Sequence, residues 1–304
     1  MQATENLHET AMGLDTLPID EIAARLHAAQ ADAIAAVAPA IPKLVEAARL
    51  MADTVRNGGQ LIYAAAGSSG LMAMADALEL PGTFGLSPSN MHLLMAGGLP
   101  GKMALPGDVE DDVADARKAA ETIRAGDIVI AVSASGSTPF ALEIVREARE
   151  KHASVIGIAN NAEVPLFDYA DVAICLPTPP ELVAGSTRMG AGTAQKIALN
   201  IMSTLMGVLL GHVHDGMMVN LIADNDKLRK RAERIVSSIA HVSESTAREH
   251  LETAGGAVKQ AVLLARGAAS TAQADQLLAS ADGHLRPALA ELEVSLSETK
   301  ANQT

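Results

Sequence analysis

Five short, almost continuously apolar runs constrain this chain more than any other feature: Gln60–Ala66, Met91–Ala96, Asp127–Val132, Ser154–Ala159 and Val172–Leu176. Parallel strands covered on both faces have this composition, because neither face meets water. Helical patterns separate most of them, notably Val109–Ile123 and Phe140–His152, and parallel neighbours require such crossovers. The predicted fold class is α/β, a three-layer α/β/α sandwich around a central five-stranded parallel sheet. Two helices precede it, Ile19–Ala38 capped by Asp20 and Ile41–Val55 opened by Pro42. After Pro177-Thr178-Pro179-Pro180 the pattern is all helical, with Arg188–Leu210, Met217–Ala240 and shorter segments from Ser243 punctuated by Gly255-Gly256, Gly267 and Gly283. Two domains are expected, a sheet domain with its N-terminal helices over 1–240 and a small helical subdomain over 241–304.

Two of the strands run into turns rich in small and hydroxyl residues. Asp127–Val132 leads into Ser133-Ala134-Ser135-Gly136-Ser137-Thr138-Pro139, and Leu61–Ala66 leads into Gly67-Ser68-Ser69-Gly70; a helical segment follows each. Such turns offer hydroxyls and unpaired backbone N–H groups to an anion, and the helix dipole adds partial positive charge there. Two of them at the carboxyl ends of parallel strands point to a phosphorylated ligand held between them. Neither matches the nucleotide P-loop, since no Gly-Lys-Ser/Thr follows, and neither has the dinucleotide glycine spacing. A sugar phosphate fits better than ATP or NAD.

The net charge of −13 argues against nucleic acid and against anionic membrane surfaces as partners. An anionic substrate must then be captured by local donors. Ile197–Leu210, the longest apolar stretch, contains Asn200, Ser203 and Thr204 and reads as a buried or interface helix, not a membrane span. The first residues, with Glu5, His8 and Glu9, form no apolar signal region, and a single cysteine, Cys175, fits a reducing cytoplasm. No cofactor or metal is indicated: His212 and His214 stand two apart and read as helix-end residues.

The candidate catalytic groups are carboxylates. Glu79 follows Asp76-Ala77-Leu78 where a helix runs into Pro81-Gly82, and Glu110 opens the next helix within Asp108-Val109-Glu110-Asp111-Asp112. A pair of carboxylates beside a phosphate site is what proton abstraction next to a carbonyl, coupled to protonation of a leaving oxygen, requires. The small, polar lead Gly185-Ser186-Thr187-Arg188 into the long helix reads either as an N-cap by Ser186 or Thr187 or as a third helix N-terminus facing the ligand.

These residues, with Thr4-Glu5-Asn6, Asp76-Ala77, Pro81, Thr83-Phe84-Gly85, Ala96-Gly97-Gly98, Met189, Ala191-Gly192-Thr193-Ala194-Gln195-Lys196, Asn225 and Lys227-Leu228, give the chain a resemblance. Over nearly its whole length it resembles the N-acetylmuramic acid 6-phosphate etherases of the sugar isomerase (SIS) fold superfamily. The Ala-Gly-Thr-Ala-Gln-Lys run is the specific part. The resemblance implies cleavage of a lactyl ether by elimination across C2 and C3 and then hydration, giving N-acetylglucosamine 6-phosphate and lactate. It also implies that Glu79 and Glu110 are the acid/base pair and that the active form is a homodimer. The expected substrate- and phosphate-binding residues are Gly67, Ser68, Ser69, Gly70, Ser133, Ser135, Gly136, Ser137, Thr138, Glu181, Ser186 and Thr187.

The chain departs from the family pattern at Leu71, Ser137 and Gly190, where arginine, arginine and lysine are usual, and also at Leu80 and Gly82. Three cations are thereby removed from ligand-facing segments, and Ser133 restores a hydroxyl. An aldose-ketose isomerase and a non-catalytic sugar-phosphate sensor stay open as alternatives. Lactate release, ketose formation and binding without turnover separate the three.

Overall fold

A computed structural model describes residues 3–99 and 107–301. Helices α1 (Ile19–Ala35) and α2 (Ile41–Arg56) lead into strand β1 (Leu61–Ala65), followed by α3 (Gly67–Ala77), the short α4 (Leu80–Phe84), β2 (Met91–Met95) and α5 (Val113–Ala120). Then come β3 (Ile128–Val132), α6 (Pro139–Glu150), β4 (Ser154–Ala159), β5 (Val172–Cys175) and the long α7 (Gly190–Leu209). A two-stranded hairpin, β6 (Val213–His214) and β7 (Met217–Met218), precedes α8 (Asp226–Ala240), α9 (Glu244–Thr253), α10 (Val258–Ala265), α11 (Thr271–Ser280) and α12 (Leu285–Ala301). The chain divides into two compact units, Met1–Leu78 with Pro88–Leu205, and Glu79–Ser87 with Met206–Thr304. Residue 240, the expected domain boundary, lies at the end of α8 within the second unit.

In the first unit all five strands are parallel, in the order β2-β1-β3-β4-β5. β1 and β3 are fully buried along their length, as their apolar sequences require. Ile62, Ala64, Val129 and Val155 on one sheet face pack with Ala116 and Ala120 of α5 and with Phe140, Ile144 and Ala148 of α6. α2 and α3 lie against β1, completing the three layers. After β1 the chain turns outward to β2 and then returns to place β3 on the other side of β1, so the strand order reverses between β1 and β3. Ligand crevices of open α/β sheets form at such a point, beyond the strands' carboxyl ends. Ala65 pairs with Val132, so the two hydroxyl-rich turns begin side by side.

Several local expectations are corrected. α1 starts after Pro18, with Asp20 in its first turn instead of at the cap. Gly67-Ser68-Ser69-Gly70 is already the first turn of α3, with the Gly70 amide donating to the Ala66 carbonyl at 3.0 Å. The helix expected over Val109–Ile123 is a 3-10 turn, Asp108–Asp111, followed by α5, whose cap is Asp112 accepting from the Asp115 amide. The helix expected from Met217 starts only at Asp226, and His212 and His214 lie beyond the helix end at Leu209. Asp215 (φ 47°) and Gly216 (φ 75°) occupy the left-handed region in succession, the backbone of a tight two-residue hairpin turn.

In the second unit α8 to α12 enclose their own core, including Ile235, Val236, Val262, Leu263, Leu277 and Leu292. Residues 79–87 join this unit because the Asn220 amide group donates to the Phe84 carbonyl at 2.8 Å and Phe84 is buried.

Candidate active site

The first unit contains a polar cavity of about 390 Å³, lined by Thr4, Glu5, Ala66, Gly67, Ser68, Ser69, Glu110, Ala134, Ser135, Thr138, Gly185 and Thr187. It opens at the β1 and β3 carboxyl ends, as the strand order predicts. α3 starts after Ala66 and α6 after Thr138, and neither N-terminus has a side-chain cap. First-turn amides without intrahelical partners are donors for an anion, and each helix end carries about half a unit of positive charge. No Lys, Arg or His lines the cavity among the described residues.

Thr138 fails to cap α6 because its hydroxyl is engaged elsewhere. Ser133 Oγ lies 2.8 Å from Thr138 Oγ1 and 3.3 Å from Ser135 Oγ, and it accepts from the Gly136 amide at 3.0 Å. Ser135 Oγ in turn accepts from the Ser137 amide and hydroxyl, both at 3.2 Å. Ser133 is buried at the centre of this knot and shapes the turn, while Ser135 and Thr138 reach the cavity wall. Gly136 has φ 69°, and a Cβ there would lie 2.5 Å from Val164 Cγ2, so the turn closes tightly only with glycine.

On the other side, Ser68 and Ser69 line the cavity at the start of α3. Gly70 faces Met95 instead. α3 is held in register by Asp76, whose carboxylate accepts from Tyr63 Oη at 2.9 Å and Ser203 Oγ at 3.0 Å. Burial raises the Asp76 carboxyl above its usual range, opposed by these hydrogen bonds and by Lys196.

Glu110 is half-buried and its carboxylate reaches over the backbone of Gly67, where a Cβ would lie 2.4 Å from Oε1. Burial, with a smaller contribution from Asp111, raises its pKa above the ordinary carboxylate value. Such a carboxyl is suited to exchanging protons closer to neutrality. Glu79 belongs to the second unit, exposed at the head of α4.

The loop before α7 separates its expected site residues. Thr187 lines the cavity, with Gly185 beside it, and Ser186 is not among the lining residues. Glu181 is buried and points elsewhere, its carboxylate oxygens accepting from the Gly190 and Ala191 amides, both at 2.9 Å. The cap of α7 is therefore Glu181 rather than Ser186 or Thr187, and this third helix N-terminus already holds an internal anion. Five lining residues lie outside the set expected at the site: Ala66, Ala134 and Gly185, and two with polar side chains, Thr4 and Glu5. Thr4 is buried, and its hydroxyl accepts from Asn161 Nδ2 at 3.2 Å, while the same amide group donates to the Ala134 carbonyl at 3.1 Å. The only sequence signal for Thr4 and Glu5 is the Thr4-Glu5-Asn6 run.

Similarity to known proteins agrees with this geometry. Residues 19–160 match the SIS domain family model. An N-acetylmuramic acid 6-phosphate etherase of Deinococcus radiodurans is 38% identical over 290 residues, spanning 95% of this chain and 95% of that protein. The Streptomyces avermitilis protein of the same name is 38% identical over 289 residues, spanning 94% and 93%. Among solved structures, a Bacteroides fragilis protein described as a phosphosugar isomerase has a TM-score of 0.50 at 20% identity, covering 62% of this chain and 88% of that one, a likeness of fold. With relatives this similar along nearly its whole length, the chain belongs to the N-acetylmuramic acid 6-phosphate etherase family.

Proposed function

We propose that this protein cleaves the lactyl ether of N-acetylmuramic acid 6-phosphate, giving N-acetylglucosamine 6-phosphate and lactate. The observation that carries the reading is one cavity combining two uncapped helix N-termini, the hydroxyls of Ser68, Ser69, Ser135 and Thr138, and a carboxyl with a raised pKa, Glu110. The phosphate sits against the hydroxyls and first-turn amides beside Thr187, while Gly67 leaves room for Glu110 and Gly136 lets the turn close onto Val164. Ser133, Ser137, Gly70, Glu181 and Ser186 support the walls.

In the open-chain sugar the C1 carbonyl acidifies the C2 proton. Glu110 takes that proton and, now protonated, gives it to the C3 ether oxygen as the C3–O bond breaks and lactate leaves; Glu79, the other expected member of the pair, belongs to the second unit and is not among the residues lining this cavity. Water then adds at C3 and a proton returns to C2. The working form is a homodimer: α1 buries only Ala33 of its seventeen residues and leaves Ile19 and Ile34 exposed, an apolar surface suited to a second copy. The reaction belongs to the cytoplasm, where the lone Cys175 stays reduced.

The test is the reaction run in heavy-oxygen water and in deuterium oxide. Lactate release with solvent oxygen at C3 and deuterium at C2 is expected. Deuterium at C2 with an untouched C3 oxygen would establish an isomerase instead, and binding without incorporation a sensor.

A further inference from the structure

The geometry points to Glu5 as a specificity-determining residue of this cavity, one that accepts hydrogen bonds from the uncharged hydroxyl or amide N–H groups of a bound sugar phosphate. The inference rests on the reading of the cavity as a sugar-phosphate site.

Glu5 lines the cavity with Ser68, Ser69, Ser135, Thr138 and Glu110. It ends a 3-10 turn, Ala3–Glu5, that is anchored by the buried Thr4 through its hydrogen bond to Asn161. Asn161 follows β4 and also donates to the Ala134 carbonyl, inside the hydroxyl-rich turn. The Asn161 side chain, 157 positions from Thr4 in sequence, thus ties the segment bearing Glu5 to the turn assigned to the phosphate.

A carboxylate accepts hydrogen bonds and donates none when ionised. Beside a phosphate it would repel, so Glu5 cannot serve the anionic end of the ligand. The amides and hydroxyls at α3 and α6 are the donors there. Glu110 reaches over Gly67 at the start of α3, whereas Glu5 sits on the segment that Thr4 ties to Asn161 after β4. What remains for Glu5 is the neutral body of the sugar, whose hydroxyl and acetamido groups are donors. Charge-assisted bonds of this kind are stronger than neutral ones.

Calorimetric titration with two probes, N-acetylglucosamine 6-phosphate and inorganic phosphate, tests the assignment in the intact protein and in Glu5→Gln and Glu5→Ala. Glu5 is exposed, so both variants should fold, and their thermal midpoints verify it. The sugar phosphate should bind about ten- to a hundredfold more weakly to Glu5→Ala and less so to Glu5→Gln, which keeps an acceptor without its charge. Inorganic phosphate should bind unchanged or more tightly, because a nearby negative charge is gone. Thr4→Val, which releases the anchor, should show the same selective loss. Equal weakening of both probes would reduce Glu5 to a structural part and overturn the inference, as would no change in either. If the unaltered protein binds neither probe, or phosphate alone, the sugar-phosphate reading itself falls, and the inference with it.

Discussion

Replacing Gly67 by alanine separates the backbone's contribution from that of the carboxylate above it. Gly67 has φ 52°, in the left-handed region, where an L-residue costs roughly 1–2 kcal/mol. The added Cβ would also stand 2.4 Å from Glu110 Oε1, whereas ordinary contact begins at 3.4 Å, so the carboxylate must retreat by about 1 Å. The strain predicts a thermal midpoint lower by roughly 2–8 °C, taking about 2–4 °C per kcal/mol for a domain of this size. The displacement predicts a much larger effect on rate, since misplacing a reacting group by about 1 Å can cost about 10²-fold. Gly107→Ala is the control: Gly107 stands just before the turn that carries Glu110, has φ −81° and has nothing within 4 Å of a Cβ. Lactate release at saturating substrate, with differential scanning calorimetry on the same samples, reads both effects. A Gly67→Ala protein that loses several degrees but keeps its turnover would refute the placement of Glu110 at the reacting centre, and so would an equal rate loss in Gly107→Ala.

Three further outcomes follow from the geometry. Glu110→Gln should lower turnover by about 10²–10⁴-fold; because the folded-state pKa is raised, the carboxyl favours folding when protonated and loses that contribution as pH rises through the raised value, so the variant's thermal midpoint should equal or exceed the parent's at pH 7. Gly136→Ala should be more destabilising than Gly67→Ala, by about 2 kcal/mol or more in denaturant unfolding, because its Cβ meets Val164 in packed interior as well as sitting at φ 69°. Glu143 is held down to about 2, chiefly by Arg146 and then by Arg117, so its contribution is present above pH 4.5 and fades as pH falls through about 2; Glu143→Gln should lower the thermal midpoint at pH 7 and converge with the parent in acid.

The sheet was legible because burial on both faces leaves a mark in each strand: β1 and β3 are apolar at every position, and their ends fall within a residue or two of the apolar runs. The two turns were legible for a related reason, since strand, small hydroxyl residues and helix follow one another locally. The hairpin at Asp215-Gly216 was also signalled locally, but the apolar pattern of Met217, Met218, Val219 and Leu221 imitates a helical face and masked it. Glu181 capping α7 could not be read, because a carboxylate nine positions before the amide it meets has no fixed spacing to recognise. The Thr4–Asn161 contact and the membership of residues 79–87 in the second unit depend on tertiary packing and leave no local pattern.

The hydroxyl knot around Ser133 has a consequence for how the cavity greets a guest. In the Ser133–Thr138 and Ser133–Ser135 contacts either oxygen can supply the proton, and a hydroxyl turns about its C–O bond without moving its heavy atoms. An arriving anion can be answered by swinging protons while the backbone stands still. Each proton turned outward gives up a neutral contact for a charge-assisted one about twice as strong, so the exchange is downhill only when the guest is charged. A neutral molecule of the same shape gains nothing from it. The turn therefore acts as a latch set by charge, which lets a wall with no basic side chain among its described residues still prefer a phosphate over an alcohol.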